Sequence, residues 1–266
     1  MNDLDKSRNQ LVVKDNDLIR KARFNLTLNQ QKLIAYVISL IKPTDKELMM
    51  YELSVADFCE LCGIDKTYFY TEFKEILLEL DKKSFFVETD EKAFNFRWFS
   101  EFEYLKGKGK IRLQLNSNIK RYLIELSESF TQYELYNILA LKGKYSIRLY
   151  EWFKSYSFMR RKDIDLDSLK KVLEAENYVN FKDFRTRVLT KAIEEINEFT
   201  DLVVSYELLK EGRKVVGIEF YISKKEPLER YGSYRKTIDT LNKKNKQING
   251  QMSIWDRSEE EFSNEQ

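Results

Sequence analysis

Histidine is missing from this chain of 266 residues, and its absence removes several kinds of chemistry. Ser-His-Asp and Cys-His catalysis, histidine-ligated zinc and the histidine-metal centres of DNA-nicking enzymes all need an imidazole. The chain has only 8 glycines and 2 prolines, and no G-x-x-x-x-G-K-[ST] stretch is present to cradle a nucleotide. The carboxylates form no isolated cluster typical of a metal-ion nuclease. The sequence therefore predicts no enzyme, no catalytic residues, no metal and no cofactor.

Cysteine is almost absent too: Cys59 and Cys62 are the only two, and their C-x-x-C spacing occurs in redox and zinc sites. No second pair and no histidine exist to complete a zinc site. Two cysteines are also too few for the disulfide framework of a secreted protein. The spacing fits one face of a short helix beside Val55 and Phe58, so we expect both thiols in the core.

Long apolar runs are lacking as well. The chain opens on polar residues instead of a signal peptide, and no apolar stretch approaches the length of a membrane span. These features predict a cytoplasmic protein without a membrane partner. The net charge is only +2, so the placement of the charges carries more information than their sum.

An internal repeat is the most informative pattern that is present. Apolar positions of the first half recur 116 residues later in three successive segments. The equivalent pairs are Leu33 and Leu149, Val37 and Phe153, Leu53 and Leu169, Ala56 and Val172, Phe73 and Leu189, Ile76 and Ala192, Leu77 and Ile193, and Leu80 and Ile196.

Each copy has the pattern of a winged helix, a variant of the helix-turn-helix. The expected order is an amphipathic helix (27–41; 145–156), a short strand (50–53; 162–166), a short helix capped by Ser54 or Asp167, a long helix (66–81; 181–199) and a β-hairpin wing (84–88 with 93–98; 202–209 with 215–222). The predicted fold class is therefore α+β. It comprises two tandem winged-helix domains, at residues 1–125 and 126–227, and a flexible polar tail at residues 228–266.

The long helix of the second copy carries its cations first, whereas Glu194, Glu195 and Glu198 follow in its second half. The helix macrodipole favours the opposite order. Cations at the leading end suit a recognition helix that enters the major groove. The predicted DNA contacts on this helix are Lys182, Arg185, Thr186, Arg187, Thr190 and Lys191. A solvated charged face is the alternative, and Arg185 lies near the apolar side, where a local ion pair competes with DNA contact.

Two hairpin tips are basic and contain glycine. Lys106, Lys108 and Lys110 form one predicted phosphate clamp, and Lys210, Arg213 and Lys214 form the other. Ordinary solvent-exposed turns are the alternative for both. The long helix of the first copy mixes lysines with glutamates, so any DNA contact of the first domain is expected from its hairpin tip.

Two stretches resemble the iteron-type replication initiator (Rep) proteins of bacterial plasmids. The first comprises V-V-K-D-N-D-L-I at residues 12–19, L-T at 26–27 and Q-Q-K-L-I at 30–34. The second is F-R-x-x-V-L-x-x-A-I-x-E-I-N at residues 184–197. Both halves match in order, and the resemblance covers residues 11–223.

This resemblance implies double-stranded DNA as the main partner, bound at directly repeated iterons of a plasmid origin. It also implies melting of nearby AT-rich DNA, recruitment of the host helicase and initiator proteins, and a homodimer that represses its own gene at an inverted repeat. In the family the second domain is the main DNA reader, and the first supports dimerisation and auxiliary DNA contact. The alternatives are a plasmid-borne transcriptional regulator without a replication role and a protein-interaction scaffold.

A short apolar patch stands out in the polar tail: Gln251, Met252, Ser253, Ile254 and Trp255. It resembles the Q-L-S-L-F-type peptide by which bacterial replication proteins bind the polymerase sliding clamp. Gln251 would anchor such a peptide by hydrogen bonds, and the two large side chains at its end would fill an apolar pocket. Packing of these side chains onto the second domain is the alternative.

Overall fold

The computed structural model of the chain describes residues 3–88, 92–126 and 129–263, with the backbone alone for residues 66–71 and 248–263. Within these residues, no helix combines the length and the apolar character that a membrane span requires.

The first half contains α1 (Asp3–Arg8), β1 (Leu11–Asp15), α2 (Asn16–Arg20), α3 (Leu28–Ser39), β2 (Met50–Ser54), α4 (Val55–Cys62), α5 (Lys66–Asp81), β3 (Ser84–Glu88), β4 (Ala93–Arg97), β5 (Phe99–Leu105), β6 (Lys110–Leu115) and α6 (Lys120–Leu123). The second half contains β7 (Phe130–Glu134), α7 (Tyr136–Leu139), α8 (Lys144–Ser155), β8 (Arg161–Asp165), α9 (Leu166–Leu173), α10 (Phe181–Phe184), α11 (Lys191–Phe199), β9 (Leu202–Glu211), β10 (Lys214–Lys224) and α12 (Pro227–Ser263).

The second winged helix comprises α8 to β10. Its antiparallel sheet has the strand order β8-β10-β9, and a π-helical turn at Arg185–Thr190 joins α10 to α11. We call the continuous helix of residues 181–199 the recognition helix. The predicted cap of the preceding helix α9, Asp167, is wrong: Asp165 accepts the hydrogen bond from the Ser168 amide at 2.8 Å. The helix begins earlier than expected because the strand ends at Asp165, whose extended backbone leaves its carboxylate free to cap.

The first winged helix comprises α3 to β6, and its sheet has the corresponding strand order β2-β6-β5. The hairpin β5–β6 therefore corresponds to the wing β9–β10 of the second winged helix. The prediction that residues 84–98 form the first wing is wrong. Strands β3 and β4 form a separate two-stranded sheet, an extra hairpin inserted before the wing, and Phe86 of β3 also forms a bridge with Arg23.

The repeat offset is not constant along the chain. Helices α3 and α8 are 116 residues apart, but the strands β2 and β8 are 111 residues apart. Ten residues separate α3 from β2, whereas five separate α8 from β8. The pairing of Leu53 with Leu169 is therefore wrong, since Leu53 lies in a strand and Leu169 in a helix. A longer turn before the recognition helix almost restores the original offset.

Strand β1 pairs with β7, and this pair ties the N-terminus to the start of the second half. Beneath it, the Lys14 ammonium and the Tyr133 hydroxyl both bind the Glu151 carboxylate at 2.5 Å. Burial alone would raise the pKa of Glu151, but the charges of Lys14 and Arg148 lower it overall. The Arg148 guanidinium also donates to the Ala22 carbonyl at 2.9 Å. This buried ionic cluster connects α8 of the second winged helix to β1 and the segment after α2 in the first half of the chain, and to β7.

Helix α12 corrects the expectation of a flexible tail over the first part of that segment. Leu241 is fully buried, and the Thr237 hydroxyl donates to the Phe199 carbonyl at 2.9 Å. Further along, Asn242 accepts from the Arg8 guanidinium at 2.9 Å, and the Asn245 amide donates to the Glu60 carbonyl at 2.9 Å. The helix therefore packs on the end of the recognition helix and reaches α1 and also α4, which belongs to the first winged helix.

Candidate DNA-binding surface

Asn180 caps the recognition helix, and its side chain accepts a hydrogen bond from the Lys182 amide at 2.8 Å. Helical spacing predicts an inward face of Phe181, Phe184, Val188, Leu189, Ala192, Ile196 and Phe199, and all of these are buried except Phe181, which is half-buried. The buried side chains of this face are Phe184, Val188, Leu189, Ala192, Ile193, Ile196 and Phe199. The packing fixes which side chains of the helix turn away from the protein.

The polar face of this helix carries the predicted contacts. Lys182, Arg185, Thr186, Arg187 and Lys191 are exposed, and Thr190 is half-buried. Within the described part of the chain, Lys182, Arg187 and Lys191 have no carboxylate partner. Their charges are therefore available to an external anion such as a DNA phosphate.

Arg185 has a local partner, although not the carboxylate that an ion pair would need. Its Nε donates to the hydroxyl of Tyr206 on β9 at 3.1 Å, and the side chain remains exposed. The Tyr206 ring lies 6.3 Å from Phe220, its neighbour in the sheet. The sequence does not reveal this role of Tyr206, because the contact depends on how the sheet lies under the helix.

Two of the three glutamates in the second half of the recognition helix make contacts inside the protein. The Glu195 carboxylate accepts from the amides of Lys142 and Gly143, at 2.9 and 3.2 Å, and so caps the start of α8. Glu198 pairs with Lys236 of α12 at 2.6 Å. Glu195 and Glu198 thus have structural roles, and Asp183 and Glu194 are exposed, as are most of the cations in the first half. The exposed cations support an external ligand at the leading end.

The helix also contains a π-helical turn at Arg185–Thr190. Such turns are rare in proteins and are frequent at functional sites. This turn includes four of the predicted contacts, so it shapes the part of the helix that would meet DNA.

The second wing presents its cations at the tip of the hairpin β9–β10. Lys210, Arg213 and Lys214 are all exposed, and Gly212 makes the bend with a φ of 60°. A left-handed conformation of this kind favours glycine. These cations and those of the recognition helix belong to the same winged helix.

The first wing presents two of its three predicted cations freely. Lys106 and Lys108 are exposed, with no ion pair among the residues that the structure describes. Lys110 instead pairs with Glu52 at 2.8 Å, and Arg112 pairs with the same carboxylate at 3.0 Å. Hydrogen bonds from Lys110 and Arg112 hold the pKa of Glu52 below its usual value. The Lys110 ammonium is therefore already paired with a carboxylate of the neighbouring strand β2.

The two cysteines and the tail peptide lie away from this surface or outside the described side chains. Cys59 and Cys62 are buried as expected, and burial raises the pKa of Cys62 to about 11. No group of residues suited to a metal ion occurs in the described ranges. Residues 251–255 belong to α12, but their side chains lie outside the described part, so the clamp peptide has no structural test here.

Comparison with known proteins identifies the family. The family model "Initiator Replication protein, WH1" matches residues 11–154, and "Initiator Rep protein, WH2" matches residues 165–222. A "Replication initiation protein" from Escherichia coli is 24% identical over 225 residues, covering 80% of this chain and 70% of the relative. An uncharacterised 27.6 kDa protein from Escherichia coli is 22% identical over 250 residues, covering 85% of this chain and all of the relative.

A solved structure shows the same fold. The crystal structure of the Pi initiator protein in complex with iteron DNA superposes with a TM-score of 0.69 at 22% sequence identity. The match covers 82% of this chain and 99% of that chain. The first model covers the first winged helix and continues through most of α8, and the second covers the second winged helix from α9 to β10, so together they account for most of the sequence. The chain therefore belongs to the plasmid replication initiator (Rep) family, with that family's WH1 and WH2 winged-helix domains.

Proposed function

We propose that this protein initiates plasmid replication by binding directly repeated double-stranded DNA, with the second winged helix as the main reader. The observation that carries the proposal is the division of charge on the recognition helix. Lys182, Arg187 and Lys191 have no carboxylate partner among the described residues, whereas Glu195 and Glu198 are used internally. The wing cations of the same winged helix supply phosphate contacts beside the major groove.

The first winged helix adds an auxiliary DNA contact through Lys106 and Lys108. Helix α5, the equivalent of the recognition helix in the first winged helix, is a weaker candidate for DNA contact. Its residues Glu72, Glu75 and Glu79 are exposed. Glutamates facing phosphates would repel them. A homodimer formed through this domain, repressing the gene at an inverted repeat, remains a proposal that rests on family membership.

Replication in trans tests the proposal. The protein is supplied from one plasmid, and a second plasmid carries only the DNA that flanks its gene. Replication of the second plasmid supports the initiator function and its implied recruitment of host helicase and initiator proteins. Binding of the flanking DNA without replication would favour the alternative, a transcriptional regulator. DNA affinity that does not fall with added salt would instead favour the protein-interaction scaffold.

The clamp peptide, Gln251 to Trp255, is a separate proposal about the same protein. A synthetic peptide of residues 249–258 should bind the host sliding clamp, and one with Gln251, Ile254 and Trp255 changed to alanine should not. Equal binding by the two peptides would contradict it. Loss of thermal stability in the same triple variant of the whole protein would support packing against the second domain.

A further inference from the structure

The loop before the recognition helix carries an isolated exposed aliphatic side chain. Val179 is 89% exposed, more than any other large hydrophobic side chain in the described part of the protein. It directly precedes the cap residue Asn180. Single exposed apolar residues are common on protein surfaces. Val179 differs from such residues because hydrogen bonds hold the loop on both sides of it.

Val179 occupies a position whose side chain often packs against the helix that follows. The residue before a helix cap often contacts the fourth residue of the helix, in an arrangement called the hydrophobic staple. Phe184 is that fourth residue, but it is Tyr178 whose ring packs on it, at 6.4 Å between centroids. Tyr178 also packs edge-on against Tyr145, at 6.2 Å. Tyr178 therefore makes the staple contact with Phe184 in place of Val179, and Val179 stays exposed to solvent.

The two neighbours of Val179 are both held in place. The Lys170 ammonium, on a residue only 7% exposed, donates to the Tyr178 carbonyl at 2.7 Å. On the other side, Asn180 is fixed by its cap to the Lys182 amide. Valine itself has restricted side-chain rotamers because it is branched at Cβ. The loop therefore holds Val179 in one exposed position before any ligand arrives.

The first winged helix has no equivalent of this projection. Its turn between α4 and α5 comprises three residues, beginning with Gly63, whereas the turn before the recognition helix comprises seven. The additional residues include Val179. The projecting valine thus belongs to the winged helix that carries the unpaired cations, and it lies within three residues of Lys182.

We propose that Val179 contacts the C5 methyl group of a thymine in the major groove and so helps to select the DNA sequence. Thymine is the one base whose major-groove edge carries a methyl group. The leading end of a recognition helix meets the base edges, and there Val179 supplies an apolar surface among cations that bind phosphates. The inference rests on the proposed function, in which this helix reads DNA.

Replacing thymine with deoxyuridine tests the contact, because uracil pairs normally and lacks only the methyl group. Duplexes of the repeat that flanks the gene are prepared with one thymine replaced at a time, and their binding is measured by fluorescence anisotropy. At one position, uracil should weaken wild-type binding about fourfold, as expected for one buried methyl group. Val179→Ala should weaken binding of the thymine duplex by at least as much. At that position the variant should no longer distinguish thymine from uracil.

Phe158→Ala is the matched control. Phe158 is 75% exposed, on the loop between α8 and β8, so its loss also removes an exposed apolar group without disturbing the core. It should keep the wild-type preference for thymine at every position. An unchanged preference in Val179→Ala, with the repeats still bound, would overturn this inference alone. Failure of the wild-type protein to bind the repeats would overturn the proposed function and this inference with it.

Discussion

At the scale of single residues, the charges of the recognition helix differ in whether the protein itself uses them. Glu195 caps α8 and Glu198 pairs with Lys236, so both are committed to the fold. Arg187 is exposed without a partner among the described carboxylates. A cation that stabilises nothing within the chain is free to bind DNA, and its removal should affect DNA binding without affecting stability.

Arg187→Ala should therefore weaken binding of the repeat by about 1–3 kcal/mol, the usual worth of an arginine that reads a base edge. Binding of random DNA should fall much less. Arg235→Ala is the control, since Arg235 is an exposed arginine on α12 that is not among the predicted DNA contacts. Equal losses on repeat and random DNA would show that Arg187 contacts a phosphate instead of a base.

A second residue-scale feature is a buried lysine near the junction of the two winged helices. Lys32 is 4% exposed, and its ammonium donates to the Leu139 carbonyl at 2.6 Å. Burial lowers the pKa of Lys32 to about 8. The unfolded chain holds the same proton up to the ordinary lysine pKa of about 10.4. Between these values the unfolded state binds more protons than the folded state, so stability rises with pH.

From pH 7 to pH 9, the free energy of unfolding should therefore rise by about 1 kcal/mol more in the wild type than in Lys32→Met. Methionine keeps the length of the side chain but cannot titrate. Urea unfolding of both proteins at the two pH values measures this difference. Titration of Cys62 opposes the rise, but it is common to the two proteins. Parallel pH dependence would mean that Lys32 stays protonated in the fold.

At the scale of elements, the hairpin β5–β6 is a wing with two free cations and one tied to the sheet. Changing Lys106 and Lys108 to glutamine should weaken binding of every DNA sequence. It should also reduce the slope of log K against log salt by about 0.9 for each lost phosphate contact. Lys110→Gln is the matched control, because its ammonium already binds Glu52. A wild-type slope in the double variant would show that the wing faces solvent or a protein partner.

Helix α12 is a second element with a definite expectation. Leu241→Ala should lower the free energy of unfolding by about 2–5 kcal/mol, as for other fully buried leucines. Lys243→Ala, an exposed neighbour, should leave it unchanged. Urea denaturation followed by circular dichroism measures both. Equal stability of the two variants would mean that α12 does not pack on the folded domains in solution.

The long helices and the hairpins followed from apolar periodicity, which gave the bounds of α5 and the inward face of the recognition helix correctly. The order of the strands did not follow from apolar periodicity, because the pairing of β2 with β6 joins segments that are far apart in the chain. Sequence alone could not show that β5–β6, and not β3–β4, is the wing. The offset of 116 residues does not hold for the middle segment of the repeat. The second half has a shorter loop before its strand β8 and a longer turn before its recognition helix, and the two differences in length nearly cancel.

The packing of α12 was missed because its contacts are mostly polar. Leu241 is fully buried, but Thr237, Asn242 and Asn245 hold the helix through hydrogen bonds to backbone and side chains elsewhere in the fold. Hydroxyl and amide groups leave no apolar period in the sequence. The exposed positions of the cations predicted to contact DNA followed from helical spacing. The ion pair between Lys110 and Glu52 was not predictable, because it depends on which strand lies beside β6.

At the scale of the whole molecule, the two winged helices are joined at several places. The equivalent helices α3 and α8 pack against each other, and Arg23 of the first half pairs with Glu176 of the second at 2.7 Å. The β1–β7 pair and α12 add further connections. A molecule joined in this way presents its two wings in a fixed relation, so it should occupy each DNA repeat in the same manner.

Hydroxyl-radical footprinting of the DNA that flanks the gene tests this account most directly. The wild-type protein should protect each direct repeat with the same pattern, recurring at the spacing of the repeats. Added salt should weaken all of these protections together. Protection confined to an inverted repeat at the promoter, or spread evenly along the DNA, would contradict the claim that the second winged helix reads repeated origin sequences.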